Sequence, residues 1–275
     1  MSRTSWAGLG FLFLKIGPKL LKLIKVLKSL KVLGAVGSVA AYSWLFSWQM
    51  AVAIIVLLFV HEYGHIWAMK REGMKVKGIY FIPFLGGAAV PDEMFKSRRQ
   101  EAFVAIMGPA FGLALTLLVL IIHFITGQKM YAGIAAWMAL INAFQLLPIN
   151  PMDGGRIVKS IVMSIQEQIG IIVVLSGFAL ATFLLIKLHI WLFVIIIPIG
   201  LLEFFLEWKF GKKRASKQIT NELEVNLWLL YQNKMTAKQI LIYSVVTISV
   251  LGSLFGVMFF AQSIPGAKEA LMVIM

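Results

Sequence analysis

Apolar residues in this chain fall in long runs separated by short clusters of basic and turn-forming residues, a pattern that predicts helices crossing a bilayer. Runs at about 32–46, 51–69, 100–126, 131–164, 169–186, 190–206 and 240–260 read as spans. The 131–164 run is about twice the length a span needs, and Pro148-Ile149-Asn150-Pro151 interrupts it, which predicts a discontinuous helix. The third apolar run contains Gly108-Pro109, expected to kink it and to let a neighbouring helix come close. Between the second and third runs, residues 74–90 contain IYFIPFLGGAAV. Branched and aromatic residues on both sides of Gly86-Gly87 predict a hairpin turning at those glycines, held in the membrane only if protein covers its edges. The expected fold is an all-α polytopic membrane protein of six to seven transmembrane helices with a small membrane-associated β-hairpin.

Composition agrees with that reading. Of 275 residues, 60% are hydrophobic, and the mean hydropathy of +0.88 exceeds what a water-soluble domain carries at its surface. There is no cysteine, which excludes disulfides, thiolate metal sites and a cysteine nucleophile. Any metal must therefore be held by His, Asp or Glu. The formal charge of +14 is spread over clusters flanking the apolar runs and does not form one basic domain, so anionic lipid headgroups are the expected partner and nucleic acid is not. Lysines at 19, 22, 25, 28 and 31 alternate with leucines that share a face, predicting an amphipathic helix on an anionic membrane surface. Trp6 to Leu14 resembles a signal-peptide core but lacks a small-residue cleavage site, and is expected to be retained. With seven spans and a cytoplasmic N-terminus, all of the 26 Lys and Arg except Lys129, Lys187 and Lys268 face the cytoplasm, the distribution expected in a cell membrane.

The second run carries polar residues that an apolar helix does not need. His61 and His65 are four apart, so on a helix they project about 40° apart and one turn along, close enough for both imidazoles to reach one ion. Glu62 lies beside them, where it can take a proton from a water activated by that ion. A carboxylate within a span costs at least about 2.5 kcal/mol on the most lenient scale, which marks these residues as functional rather than as packed core polar groups. Eight residues separate Glu62 from Lys70, placing it roughly 12 Å inward from the basic, cytoplasmic end of the helix.

A catalytic zinc ordinarily takes three protein ligands. His123 and His189 fall near the opposite face, and Glu203 and Glu207 read as interfacial groups beside Trp208. Asp153 is better placed, because it follows the break and precedes Gly154-Gly155, where the backbone can approach another helix. Asp153 could instead cap the helix that follows it.

His61-Glu62-Tyr63-Gly64-His65, Gly108-Pro109 and the segment Leu146 to Gly155 together resemble the site-2 protease family of intramembrane zinc metalloproteases. The resemblance implies one Zn2+ per chain held by His61, His65 and Asp153, with Glu62 as general base. It also implies a hairpin that presents an extended substrate segment by strand addition, which makes Phe84, Gly86 and Gly87 candidate substrate contacts. Two departures stand out. The family often has Asn three residues after the Gly-Pro pair, where this chain has Gly112, and Asn eight residues before the aspartate, where it has Gln145. The substrate-positioning role falls to Gln145 or to Asn142, one turn away.

The function expected is hydrolysis of peptide bonds in membrane-embedded protein or peptide substrates near the cytoplasmic side. A metal or ion transporter and a catalytically inactive substrate-binding relative are the alternatives, since broken helices with polar residues at depth also build transport sites. The expected units are a basic amphipathic segment at 1–31, a catalytic transmembrane core at 32–166, further transmembrane helices at 167–208, and a basic loop with a last transmembrane helix at 209–275.

Overall fold

The computed structural model describes residues 30–82, 86–187, 189, 196–211 and 222–267. The basic helix expected before residue 30, Phe84, and parts of the 190–206 run and of the basic stretch after it lie outside the described residues. Helix α1 spans Leu30–Leu45 and α2 spans Trp48–Arg71. Strands β1 (Val76–Ile82) and β2 (Gly86–Pro91) follow, then α3 (Arg98–Thr126), α4 (Lys129–Gln145) and α5 (Asp153–Ile165). The remaining helices are α6 (Glu167–Lys187), α7 (Ile196–Gly211), α8 (Glu222–Gln232) and α9 (Ala237–Ser263).

Local chemistry sets these boundaries. Ser47 caps α2 by accepting from the Met50 N–H, and Lys70 and Arg71 sit in its last turn, where they complement the helix dipole. Ser97 caps α3, whose other end is closed by Gly127 at φ 68°, a left-handed conformation that favours glycine. Thr236 and Gln239 form a reciprocal capping box at the start of α9. The interrupted run behaves as expected: α4 stops at Gln145 and α5 starts at Asp153. A Cβ on Gly154 would lie 2.0 Å from the Leu146 carbonyl oxygen, and one on Gly155 would lie 2.2 Å from the Asn150 nitrogen. Both glycines are what lets the first turn of α5 fold back on the linker.

Among the described residues, four helices are long and apolar enough to cross a membrane: Trp48–Arg71, Arg98–Thr126, Glu167–Lys187 and Ala237–Ser263. This corrects the expectation of six to seven. Among the described residues, α1, α4, α5 and α7 have 16, 17, 13 and 16 residues. At about 1.5 Å per residue they reach roughly 20–26 Å, short of a ~30 Å hydrocarbon core. Apolar composition survives in α4 and α5, but the break at Pro148-Ile149-Asn150-Pro151 cuts their helical length.

The core is built on small residues. Ala132, Ala135, Ala139 and Ala143 on α4 pack against Leu254, Val257 and Ala261 on α9, a close approach of the kind that holds helices together where lipid removes the hydrophobic drive. A Cβ on Gly64 of α2 would lie 2.4 Å from the Met107 carbonyl oxygen of α3. Large apolar side chains left uncovered, among them Ile121, Phe124, Ile172, Phe183, Ile248 and Phe259, point outward from the long helices as lipid-facing residues would. The two strands pair antiparallel, Ile79 opposite Ala89 and Phe81 opposite Gly87. Gly86-Gly87 therefore open β2, paired with Ile82 and Phe81, and do not form the turn. Gly34 of α1 sits so near the Phe81 carbonyl that a Cβ there would be 2.2 Å away, so α1 covers the outer side of β1.

A fully buried charge network ties α3, α5 and α7 together. Lys159 donates to Glu101 and Glu207, each at 2.7 Å. Arg98 contacts the same two carboxylates, reaching Glu101 at 3.3 Å. Ser160 adds a hydrogen bond to Glu101 at 2.7 Å. Two cations and two anions balance, so the group persists in an apolar interior. Glu207 is thus a buried structural partner, 3% exposed, and not an interfacial group. Lys159→Met leaves Glu101 and Glu207 short of a counter-charge and is expected to destabilise the protein by about 3–5 kcal/mol. Thermal unfolding in detergent checks this; an unchanged midpoint would contradict it.

Candidate metal centre

The centre forms where α2, α3, α4 and α5 meet. His61, Glu62 and His65 are 2%, 4% and 8% exposed on the inner face of α2. They reach their depth because α3 offers a notch: a Cβ on Gly108 would lie 2.3 Å from the His65 ring and 2.8 Å from His61 Nε2. The close packing expected of Gly108-Pro109 is therefore packing against the histidines themselves, and the helix runs on through Pro109.

Asp153 arrives from the other side on the first turn of α5. Its Oδ2 lies 2.9 Å from His61 Nε2 and 3.3 Å from His65 Nε2, and the two Nε2 atoms are 3.1 Å apart. The capping alternative is not what the carboxylate does, for it points at both rings. Among the described residues these three form one group able to hold an ion. His123 instead contacts the Gln128 carbonyl at the far end of α3.

The donor set fits a zinc ion. His65 Nδ1 donates to the Val104 carbonyl at 2.8 Å, and His61 Nδ1 faces Asn142 Oδ1 at 2.9 Å. Asn142 Nδ2 donates to the Pro109 carbonyl at 2.9 Å, which leaves its oxygen for the histidine. Each ring thus carries its proton on Nδ1 and turns the Nε2 lone pair inward. Two imidazole Nε2 atoms and a carboxylate oxygen converge on one point, a donor set that a cation satisfies. In a tetrahedral site with bonds of roughly 2.0–2.1 Å, ligand atoms lie about 3.3 Å apart, close to the separations here.

Glu62 is not part of the triad. Its Oε2 accepts from the Ala89 N–H of β2 at 2.6 Å. A Cβ on Gly87 would lie 2.6 Å from Glu62 Cγ, so only glycine admits the strand at this distance. Since Ala89 aims its N–H at Glu62 and away from β1, the outer edge of β2 faces the centre. The two meet in a cavity of about 160 Å³ whose walls include the triad, Glu62, Gly87, Ala89, Gln145 and Arg156.

The structure separates the two amide candidates. Gln145 lines the cavity, whereas Asn142 is 1% exposed and is occupied by His61 and Pro109. Gly86 lies at the start of β2 and outside the cavity wall, and Phe84 lies outside the described residues. Three features escaped the sequence. The Ala89 contact is a backbone group and leaves no residue-type signal. Arg156 follows Asp153 by one helical turn and so shares its face, a spacing that could have flagged it. Lys159 and Glu101, charges inside apolar runs, could have been paired by the same reasoning that singled out Glu62.

Residues 49–139 match the family model described as peptidase family M50. A zinc metalloprotease of Methanocaldococcus jannaschii is 33% identical over 117 residues, covering 39% of this chain and 34% of that protein. Rip3 of Mycobacterium tuberculosis, named as a candidate zinc metalloprotease, is 30% identical over 129 residues, covering 44% and 33%. A candidate zinc metalloprotease of Synechocystis is 29% identical over 196 residues, covering 66% and 51%. The chain spans about a third to a half of the length of these curated relatives.

Removing a ligand should empty the centre. Asp153→Ala is expected to weaken zinc binding by more than the ~10–100-fold typical of losing a supporting contact. Zinc content after purification, with chelator competition, measures this; full retention of zinc would contradict the triad.

Proposed function

We propose that this chain, which matches the peptidase family M50 model over residues 49–139 and is similar to zinc metalloproteases, is of the site-2 protease type and hydrolyses peptide bonds in membrane-spanning protein or peptide substrates. The observation that carries this reading is the convergence of His61, His65 and Asp153 beside a glutamate that ligates nothing. His61, His65 and Asp153 would hold a zinc ion, which would supply Lewis-acid chemistry to polarise a carbonyl and acidify a water.

The chain's own residues do the rest. The Glu62 carboxylate accepts the proton that the attacking water loses and returns it to the nitrogen of the leaving amine. Because it is buried and anchored by the Ala89 N–H, it needs little reorganisation to do so. A substrate helix hides its carbonyls in its own hydrogen bonds, and must be extended before one can be attacked. The exposed edge of β2 supports that step: with β1 covered by α1, the edge at Gly87 and Ala89 remains to pair with an extended segment, alongside the triad. Gln145, on the cavity wall, is the amide placed to hydrogen-bond that segment.

All of these residues fall within 32–166, which we assign as the catalytic core. Lys70, Arg71, Lys96 and Arg99 gather where α2 ends and α3 begins. By the positive-inside tendency this end faces the cytoplasm, with anionic lipid headgroups around it.

Glu62→Gln is the decisive variant. Expressed in membranes with single-span model substrates, it should cut cleavage by about 10²–10⁴-fold while zinc content stays at the wild-type level. Cleavage at the wild-type rate would overturn the role of Glu62, and metal transport without cleavage by either form would favour a transporter.

A further inference from the structure

We propose that Asn142 is a positioning residue for the metal centre, holding His61 through its side-chain oxygen from a seat on α4 that Gly112 of α3 leaves open. This rests on the metal-binding reading above and adds to it a residue that touches neither metal nor substrate.

The contacts run in one direction. The Pro109 carbonyl can only accept, so the Asn142 amide nitrogen must face it, at 2.9 Å. The amide oxygen is thereby turned to His61 Nδ1, also at 2.9 Å, where it too accepts. His61 is left with a protonated Nδ1 and a lone pair on Nε2, the form a metal ligand needs. With Asn142 1% exposed, water does not replace either contact. His65 takes the same orientation from the Val104 carbonyl, a backbone group fixed by α3. His61 has no backbone partner for Nδ1, so a side chain must do for it what the main chain does for its neighbour.

Gly112 makes that side chain fit. A Cβ at 112 would lie 2.4 Å from Asn142 Nδ2, 2.6 Å from Oδ1 and 2.7 Å from Cγ. The space a side chain at 112 would occupy is therefore the space the Asn142 amide fills. One amide is accommodated, from α4 or from α3, and this chain supplies it from α4.

An ordinary interhelical hydrogen bond is the competing role, since Asn142 joins α4 to α3 through Pro109. Asn142→Asp separates the two, because aspartate keeps the acceptor for His61 and loses the donor to Pro109. Zinc affinity of the full-length chain in detergent, measured by chelator competition, is the readout, with the electronic spectrum of the cobalt-substituted protein reporting on ligand geometry. Asn142→Ala should weaken zinc binding by ~10–100-fold. Asn142→Asp should stay within a few-fold of wild type, and the exchange Gly112→Asn with Asn142→Gly should recover much of the loss. Melting of the metal-free forms shows which variants fold; if Asn142→Ala does not, Asn142→Asp decides. Wild-type affinity in Asn142→Ala, or a parallel loss in Asn142→Asp, overturns the proposal while leaving the triad standing. A failed exchange overturns the shared seat. Wild-type protein that binds no zinc overturns the metal reading itself.

Discussion

Three acceptor atoms face one another across about 3 Å in the interior of a membrane protein, and the surrounding fold is arranged to keep them there. Groups gathered this closely interact strongly, and burial strengthens the interaction by lowering the local dielectric. The helices that carry these groups are held together by contacts around them. The Arg98, Glu101, Lys159 and Glu207 network fastens α5 to α3, so that Asp153 is carried to the histidines by a helix anchored at its middle. The Arg99 and Glu72 pair, with contacts of 3.0 and 2.5 Å, ties the start of α3 to the end of α2 and fixes the histidine-bearing helix from the other side.

Close approach is the second theme, and glycine supplies it at each wall of the site. Gly64 brings α2 onto α3, Gly108 makes room for the imidazoles, Gly87 lets β2 reach Glu62, and Gly112 seats the Asn142 amide. Each sits where a methyl group would collide with a backbone atom or with a residue of the site. The hairpin draws its function from the same economy of size. One edge is closed by α1 and the other is left beside the candidate metal centre, so a strand edge that would be an aggregation hazard in the open lies in a protected place.

Much of this was legible in the sequence because it depends on helical spacing. His61, Glu62 and His65 announce themselves by a four-residue interval inside an apolar run, and Asp153 by its place after a proline break and before two glycines. The hairpin was legible as an element, although its turn was not: Gly86-Gly87 look like a turn because glycine usually means one, while here Gly87 answers a demand for space made by a residue 25 positions earlier. The number of spans was overread for a related reason. Hydropathy reports apolar composition and not unbroken helix, so runs that end as helices of 13 to 17 residues counted as spans. Least legible were contacts that need three dimensions. Gly112 and Asn142 stood out separately, one as a missing amide and the other as an extra one, and only their shared position in space makes them a pair.

The central claim is that two imidazoles and one carboxylate share a single zinc ion. X-ray absorption at the zinc edge of the purified protein tests it most directly. The account predicts a four-coordinate centre of nitrogen and oxygen ligands with two imidazole rings and bonds of roughly 2.0–2.1 Å. A zinc environment without imidazole scattering, or a well-folded protein that holds no zinc, would contradict it.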